Sequence, residues 1–466
     1  MTSKPRRASI APRKLTVRCR RRTALALLCA VLCWMAPAAM QAVALAAQAA
    51  ARPSPHPPAQ QLYGPVREIV FSGNEDTSEV LLRDEIDVRI GDAYTDTQLA
   101  KARQALMDLG LFRQVSARAE QVGYGVRLSF AVDEKYYLLP LPRLSRNSEG
   151  DISLGGQLRS DNLLGLNHQF SVTLEREKAD EGRGRETDRL RVDYVVPRLI
   201  GTRWGVNARI AEERYPVSSG SDTGVLGQWS RSDRQLRLGA RRQLDDFRPS
   251  DPGWSIAFGI AHNERYHEPL DGGGGQRPAG GQDRSISLAL DYNGVHQDRY
   301  RRFGRAWGGN ITLGGQLAGG DYAYSSMLLY YRAYMPLDDV ADNLNMSFRL
   351  GFANGSAWDL PRFSLGGSGS IRGIESGSLE GDTSLLYRVE WLRALRRHPR
   401  FRLLGFVDVG NAWPRYHLDL GDLEATLGGG FRWKIDAFVN TDLSIDIGYH
   451  PRSGDYKVYA GTSASF

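Results

Sequence analysis

The side chains that could act as nucleophiles, general bases or metal ligands are few and widely spaced in this sequence. A lipase or protease needs a nucleophile and a base within reach of each other, but no Gly-x-Ser-x-Gly segment and no metal-site spacing of histidines is present. Seven of the eight histidines fall near the ends of predicted strands or in loops, at His168, His262, His267, His296, His398, His417 and His450. The sequence therefore predicts that the protein is not an enzyme and that it has no metal site and no cofactor.

The charge of the chain is concentrated near its N-terminus. The 60 Lys and Arg residues and 53 Asp and Glu residues give a formal net charge of +7. Residues 1–46 hold nine of the basic residues and no acid, which leaves 51 basic against 53 acidic residues in the remainder. A near-neutral remainder argues against nucleic acid as a partner.

Residues 1–46 are typical of a secretory signal peptide. The basic region is followed by an apolar run over 24–36 and by Ala-x-Ala cleavage sites at 42–44 and 44–46. A membrane-anchoring helix is the alternative, but this run is shorter than the roughly 20 residues that span a bilayer. All three cysteines lie in this leader, so we expect no disulfide in the exported protein. The stretch 47–65, rich in Ala, Pro and Gln, is predicted to be a disordered linker.

The segment 66–135 switches between strand and helix periods, which predicts a small α+β domain. Oxygen-bearing side chains suited to capping precede each predicted helix, and alternating apolar residues mark the last two strands. The predicted elements are a strand over 67–71, a helix capped by Thr77 or Ser78 that runs to Ile86, a helix capped by Thr95 with Gln98 and ended by Gly110, and strands over 115–119 and 126–132.

This domain resembles a POTRA domain from end to end. The matching runs are 69–74, the helix end at 109–112 and the closing segment 130–134. POTRA domains are periplasmic modules that receive unfolded polypeptide, often by adding it as a strand to an exposed sheet edge. A generic ferredoxin-like α+β domain is the alternative. Only one copy fits the sequence.

From Tyr136 to Phe466 the sequence predicts an all-β fold. Segments of about ten residues alternate in polarity and are separated by Gly, Pro, Asn and Asp, and no apolar run is long enough for a membrane helix. Within 254–261, for example, apolar residues share one face and small residues share the other. One face could meet lipid and the other an interior, which predicts a transmembrane barrel. A soluble sandwich or propeller is the alternative.

Counting 137–145 as the first strand and 456–466 as the last gives about 16 antiparallel strands. An even number returns the C-terminus to the side on which the N-terminal domain lies. The gaps 215–229, 265–283 and 355–383 are predicted as long loops on the far side. Links such as 197–202 are predicted as tight turns on the near side.

The final strand carries a candidate signal for assembly into the outer membrane. Tyr456, Val458 and the terminal Phe466 share one face, and Gly461 lies on the other. A terminal Phe on the face that meets lipid resembles the signal by which outer-membrane proteins are recognised for assembly.

Two further segments resemble the BamA/TamA superfamily, also called bacterial surface antigen proteins. The first, 365–374, contains Ile371, Arg372 and Gly373 and matches that family's Val/Ile-Arg-Gly-aromatic loop motif, with Ile374 where the family has an aromatic residue. The second, 405–413, matches the family's Phe-x-Asp-x-Gly strand.

The resemblance implies that the loop folds into the barrel and that its arginine meets acidic residues of the wall. Carried over, these residues are Arg372, Asp408 and, on the intervening strand, Glu390. A guanidinium can pair bidentately with a carboxylate, and Gly373 permits the positive φ or close approach that this position needs. The alternative is that Arg372 is an ordinary loop arginine and that Asp408 lines a wet interior.

The start of the barrel is predicted to be a weak seam. Pro140 and Pro142 cannot donate backbone hydrogen bonds, so the first strand should pair poorly with the last, as a lateral gate requires. The segment 161–166 resembles the family's first periplasmic turn.

Three functions remain open from the sequence. The resemblance implies an outer-membrane assembly or translocation factor for unfolded outer-membrane or secreted polypeptides, in contact with outer-membrane lipid and with periplasmic or lipoprotein partners. A passive porin or lipid-transport barrel is the alternative, and an outer-membrane hydrolase is less favoured because no catalytic pair is found.

Overall fold

The computed structural model describes most of the chain after the N-terminal 63 residues. The described residues are 64–146, 152–178, 187–220, 226–245, 253–270, 277–315, 318–337, 341–355, 357–359, 362–439 and 441–463. The predicted signal peptide, most of the predicted linker and Phe466 lie outside these ranges. Apart from the short turn 419–422, the described residues belong to a single compact unit, 61–418 and 423–466.

The N-terminal domain contains three strands and two helices in the predicted order. In its three-stranded sheet the last strand of the domain lies in the middle, parallel to the first strand and antiparallel to the second. Leu82, Leu106, Phe112 and Phe130 are buried between the helices and this sheet. The elements are β1 (Val66–Ser72), α1 (Glu79–Glu85), α2 (Asp96–Asp108), β2 (Phe112–Val122) and β3 (Gly125–Glu134).

The helix ends of this domain follow from local chemistry. The Ser78 hydroxyl caps α1 by accepting from the amide two residues later at 3.3 Å, and Thr95 caps α2 by accepting from the amide three residues later at 3.2 Å. Gly110 ends α2 in the left-handed region, at φ +75°. Of the two residues predicted to cap α1, Ser78 does so, while Thr77 hydrogen-bonds to a residue outside the helix.

The rest of the fold is one sheet of 16 strands, in which each strand pairs with its neighbours in chain order except where a loop hairpin intervenes. All described pairings in this sheet are antiparallel. The strands are β4 (Leu138–Arg146), β5 (Ile152–Leu163), β6 (His168–Lys178), β7 (Thr187–Val196), β8 (Trp204–Gly220), β9 (Leu226–Gln243), β10 (Gly253–Pro269), β11 (Gly281–Gln297), β12 (Arg302–Gly314), β13 (Tyr324–Pro336), β14 (Asn343–Asn354), β17 (Thr383–Leu395), β18 (His398–Trp413), β19 (Glu424–Lys434), β20 (Asp442–His450) and β21 (Asp455–Ser463). The hairpin of β15 (Phe363–Leu365) and β16 (Leu379–Gly381) lies between β14 and β17.

The two faces of this sheet differ in polarity. Large apolar side chains project from the outer face and are exposed, among them Leu158, Ile210, Leu238, Phe258, Ile260, Leu288, Ile311, Leu329, Leu403, Leu427 and Ile447. The inner face carries mainly polar, charged and small residues. No helix in the described part of the chain is long and apolar enough to cross a membrane.

Contacts between strands that are far apart in sheet order show that the sheet curls. The Tyr300 hydroxyl, in the turn between β11 and β12, donates to Asp436 between β19 and β20 at 2.9 Å. Arg159 of β5 donates to Thr441 at 3.1 Å, and the Tyr136 amide, just before β4, donates to the carbonyl of Ala437 at 2.7 Å. The first and last strands, β4 and β21, therefore lie beside each other, with Cα atoms within 8 Å.

Two segments predicted as long loops, 215–229 and 265–283, begin and end in strand, and in the second the described residues 270 and 277–280 are loop as predicted. β8 and β9 pair as far as Gly220 and Leu226, and β10 and β11 likewise extend into the second segment. Toward these strand ends the outward-facing positions become polar, as at Glu212, Arg234 and Glu264, so the backbone ladder continues where the apolar alternation stops. The third predicted loop, 355–383, is a loop that contains the β15–β16 hairpin.

Candidate functional site

The connection from β14 to β17 places a tight turn against the inner face of the sheet. Gly366, at φ +112°, donates its amide to the Ser370 hydroxyl at 2.7 Å, and Gly367, at φ +83°, donates to the carbonyl of Ile374 at 3.0 Å. These bonds close the turn on itself. They present Arg372, at the tip of the turn, to the strands behind it.

Arg372 lies in a fully enclosed ion-pair site. Its side chain is 1% exposed and forms two parallel bonds with Asp408 of β18, each of 2.7 Å. The Arg372 Nη1 donates to Glu390 of β17 at 2.6 Å and to Asp446 of β20 at 3.3 Å. The Arg372 backbone amide also donates to Asp408 at 3.1 Å. The structure thus brings together the three charged residues that the sequence motifs single out.

Two further arginines balance the charge of this site. Arg388 of β17 donates to Asp408 at 3.2 Å, and Arg432 of β19 pairs bidentately with Asp446, one bond measuring 2.8 Å. With Arg372 they give three guanidinium groups against three carboxylates. We call these six residues, Arg372, Arg388, Glu390, Asp408, Arg432 and Asp446, the loop-anchor network. A buried charge is tolerated only when it is paired and hydrogen-bonded, and this network meets that condition.

Apolar and aromatic groups shield the network from water. The Arg372 guanidinium carbon lies 3.5 Å from the ring centroid of Phe406, a cation–π contact. Ile371 is fully buried and packs with Leu386 and with Ile374, the residue that stands where the resembling family has an aromatic side chain. An aliphatic residue therefore fills that position and adds to a small buried cluster.

Gly373 allows the loop tip to touch the opposite strand. Its φ is +95°, and a Cβ there would lie 3.1 Å from the backbone of Gly448 on β20. A Cβ on Gly448 would lie 2.6 Å from the Gly373 amide, so the contact needs both glycines. The sequence analysis did not single out Gly448. The only feature that could have indicated it is its small size at an inward-facing position of a strand.

The loop tip is also tied to the last strand. The Tyr459 hydroxyl of β21 accepts from the Gly373 amide at 3.0 Å and donates to the Ile374 carbonyl at 3.3 Å. Tyr456 and Val458, predicted as part of the assembly signal, are exposed on the outer face of this strand. Gly461 lies on the same strand, with open space where a Cβ would project.

The predicted gate strand stands at one edge of the sheet. Pro140 and Pro142 lie on β4 opposite Leu158 and Gly156 of β5, with both rings exposed. Among the described residues no ladder pairs join β4 to β21, although the two strands are adjacent. The seam therefore differs from the continuous ladders elsewhere in the sheet.

The N-terminal domain docks on the turns at one end of the sheet. Arg198, in the turn between β7 and β8, pairs with Asp84 at 2.8 Å and with Glu85 at 2.9 Å, both at the end of α1. Glu85 is 2% exposed, and burial raises its pKa to about 7 although the Arg198 charge opposes the change. A carboxyl with this pKa changes its protonation state near neutral pH.

A second contact joins the start of α1 to the turn between β5 and β6. The Ser78 amide donates to the Gly165 carbonyl at 3.0 Å, and the Asn162 amide group donates to the Thr77 hydroxyl at 2.9 Å. Gly165 has φ +71°, and a Cβ there would lie 2.5 Å from the Asp76 carbonyl. The turn that resembles the family's first periplasmic turn therefore packs closely against the N-terminal domain, and this close approach needs a glycine at position 165.

A third contact involves the end of α2 and the strand β11. Asp108 accepts from the Gln297 amide at 2.7 Å and binds the His296 ring at 2.8 Å. Gln104 donates to the Gln297 carbonyl at 2.9 Å. Three separate segments of the sheet thus hold the domain, and none of these contacts was predicted from the sequence.

The fold and these contacts define a class of protein in which a POTRA domain is followed by a 16-stranded antiparallel barrel. The family model described as surface antigen variable number repeat, POTRA, matches residues 65–135. The Omp85 superfamily domain matches residues 162–438, more than half of the chain. The chain belongs to the Omp85 superfamily, and the predicted fold and family are confirmed.

Individual relatives are distant. The outer membrane protein assembly factor BamA of Neorickettsia risticii (strain Illinois) is 24% identical over 183 residues, which are 39% of this chain and 25% of that protein. The chain thus aligns with a quarter of the length of this curated relative.

Solved structures share the fold. BamA from Haemophilus ducreyi lacking POTRA domains 1-3 has a TM-score of 0.50 at 17% identity, over 87% of this chain and 84% of that one. CdiB from Acinetobacter baumannii has a TM-score of 0.59 at 16% identity, over 85% and 73% of the two chains. CdiB from Escherichia coli has a TM-score of 0.54 at 14% identity, over 88% and 92%.

Proposed function

We propose that this chain is an outer-membrane assembly or translocation factor. Its POTRA domain receives unfolded polypeptide in the periplasm, and its barrel inserts that polypeptide into the membrane or exports it. Membership of the Omp85 superfamily and the name of the curated relative, an outer membrane protein assembly factor, support this role. The apolar outer face supports a location in lipid, with the leader 1–46 as the export signal.

The observation that carries the proposal is the seam between β4 and β21. These strands are neighbours, yet the described residues form no ladder between them. A strand edge whose backbone groups are unpaired is a template for another strand, and in lipid each unpaired group costs several kcal/mol. A client strand that pairs with this edge would satisfy those groups, and Pro140 and Pro142 reduce the competing pairing within the barrel.

The loop-anchor network is consistent with the proposed opening of the seam, because it holds the barrel wall together at strands other than β4. Arg372 fixes the loop to β17, β18 and β20, away from β4. A passive porin is the alternative function, but the loop occupies the inner face and the POTRA domain sits on the turns at one mouth. A diffusion pore needs neither feature.

The proposal can be tested by photocrosslinking in cells. A photoreactive residue at Pro142 on the β4 edge should crosslink to newly exported polypeptide, whereas the same residue at Leu288, on the outer face of β11 in the middle of the sheet, should not. Depletion of the protein should lower particular outer-membrane or exported proteins. Equal crosslinking at both positions, or depletion that alters only solute uptake or a hydrolytic activity, would contradict the role.

A further inference from the structure

Arginines exceed carboxylates on the inner face of the wall from β7 to β14. Four of them, Arg191 of β7, Arg237 of β9, Arg332 of β13 and Arg349 of β14, have no carboxylate within ion-pair distance in the part of the chain that the structure describes. We call these four the arginine row. They lie on strands other than those that supply the loop-anchor network.

The neighbouring carboxylates on this wall already have other partners. Asp193 accepts from Arg209 at 2.5 Å, and Glu213 accepts from Arg189 at 2.8 Å. Asp233 forms two bonds with Arg265, of 2.8 and 2.9 Å. Asp291 accepts from the hydroxyl of Tyr330 at 2.7 Å. The arginine row is therefore left as a surplus of positive charge.

Other guanidinium groups lie near two members of the row, Arg237 and Arg349. Arg237 stands directly opposite Arg209 in the β8–β9 ladder, and the cations that act on it are Arg209, Arg362 and Arg191. The charges that act on Arg349 are those of Arg388 and Arg332. Like charges that face each other across a ladder are destabilising. An anion bound between them would remove that penalty.

We propose that the arginine row binds carboxylate-rich segments of the polypeptide that the barrel handles. This inference rests on the proposed function and specifies the substrate chemistry. A guanidinium pairs with carboxylate or phosphate oxygens, so the geometry of one arginine suits either. Arginines spread over four strands suit an extended chain with several charges better than a single phosphate. The row also faces the interior, whereas membrane lipid meets the apolar outer face.

The test measures binding of a labelled oligoglutamate to the purified full-length protein in detergent by fluorescence anisotropy. Oligoglutamate should bind, and oligolysine of equal length should not. The double substitution Arg191→Gln and Arg237→Gln should weaken binding by about tenfold or more, because charge-assisted bonds are lost. Arg332→Gln should also weaken it. Arg234→Gln, on the outer face of β9 three residues from Arg237, is the matched control and should leave binding unchanged.

Three results would overturn the inference. The first is that oligoglutamate binds no better than oligolysine. The second is that the substitutions in the arginine row leave its affinity intact while the folded barrel is preserved. The third is that inorganic phosphate, but not chloride of equal ionic strength, displaces the peptide completely, which would assign the row to phosphate. If only this inference fails, crosslinking at the β4 edge persists. If the proposed function fails, that crosslinking is lost while peptide binding remains.

Discussion

Acidification is expected to strengthen the docking of the POTRA domain on the barrel, because Glu85 is buried at that contact. Burial raises the pKa of this carboxyl from its ordinary 4.5 to about 7, outweighing the attraction of Arg198, and undocking would return it toward the ordinary value. Between these two values the docked state binds more protons than the undocked state. Docking is therefore strongest below pH 4.5, weakens as the pH rises through about 7 and is constant above that.

The size of the effect follows from the two pKa values. If undocking fully exposes Glu85, the change corresponds to at most about 3 kcal/mol, a factor of about 300 in the docking equilibrium. Asp84, Asp108 and Arg198 are the charged groups that act on this carboxyl. Glu85→Gln retains an acceptor for Arg198 but cannot ionise, so this variant should dock above neutral pH as firmly as the wild type does in acid.

The assay is a distance measurement between two spin labels. All three native cysteines lie in residues 1–46, so labels can be placed on the processed protein at Tyr124→Cys, which is 94% exposed in the POTRA domain, and at Arg397→Cys in the turn between β17 and β18. Raising the pH from about 5 to about 8 should broaden the wild-type distance distribution. Glu79→Gln, on the exposed side of α1, is the matched control and should behave as wild type.

Two outcomes would refute this reasoning. The first is a wild-type distance distribution that does not change across this range of pH. The second is a Glu85→Gln variant with the same pH dependence as the wild type, since the second titratable contact, between His296 and Asp108, would then carry the effect.

Three further predictions concern the contacts of the loop and of the first turn. Arg372→Ala leaves buried carboxylates unpaired and should destabilise the barrel by about 3–5 kcal/mol in thermal unfolding. Combining it with Asp408→Ala should recover part of the loss, and strict additivity of the two would contradict the pairing. Gly165→Ala should undock the POTRA domain in the spin-label assay, whereas Gly201→Ala, at the same φ of +71° but with open space around it, should not. Tyr459→Phe removes the acceptor of the Gly373 amide and should speed hydrogen exchange at the loop tip, with unchanged exchange as the contrary result.

The sequence predicts those features whose physical signal is local or belongs to a short motif. Cap residues such as Ser78 and Thr95 mark the helix starts, and the apolar alternation within lipid marks most of the strands. The motif around Arg372 also directs attention to Asp408 and Glu390, which the structure has in contact.

The rest depends on contacts between segments far apart in the chain. The loop-anchor network is completed by Arg388, Arg432 and Asp446. In the sequence each of these is an ordinary inward-facing strand residue, because only the curling of the sheet brings their strands to the loop. The ends of β8 to β11 lie in segments predicted as loops because their outward-facing residues are polar, which hides the strand period. The docking of Glu85 on Arg198 joins two domains and has no local pattern.

The position of Gly373 constrains the order of events during biogenesis. The loop tip touches Gly448 of β20 and Tyr459 of β21, and both strands follow the loop in the chain. The contacts of the loop tip are therefore incomplete until β20 and β21 have joined the sheet. A partly assembled barrel without β20 would lack Asp446 as well, so Arg372 gains its full set of carboxylate partners only after that strand is in place.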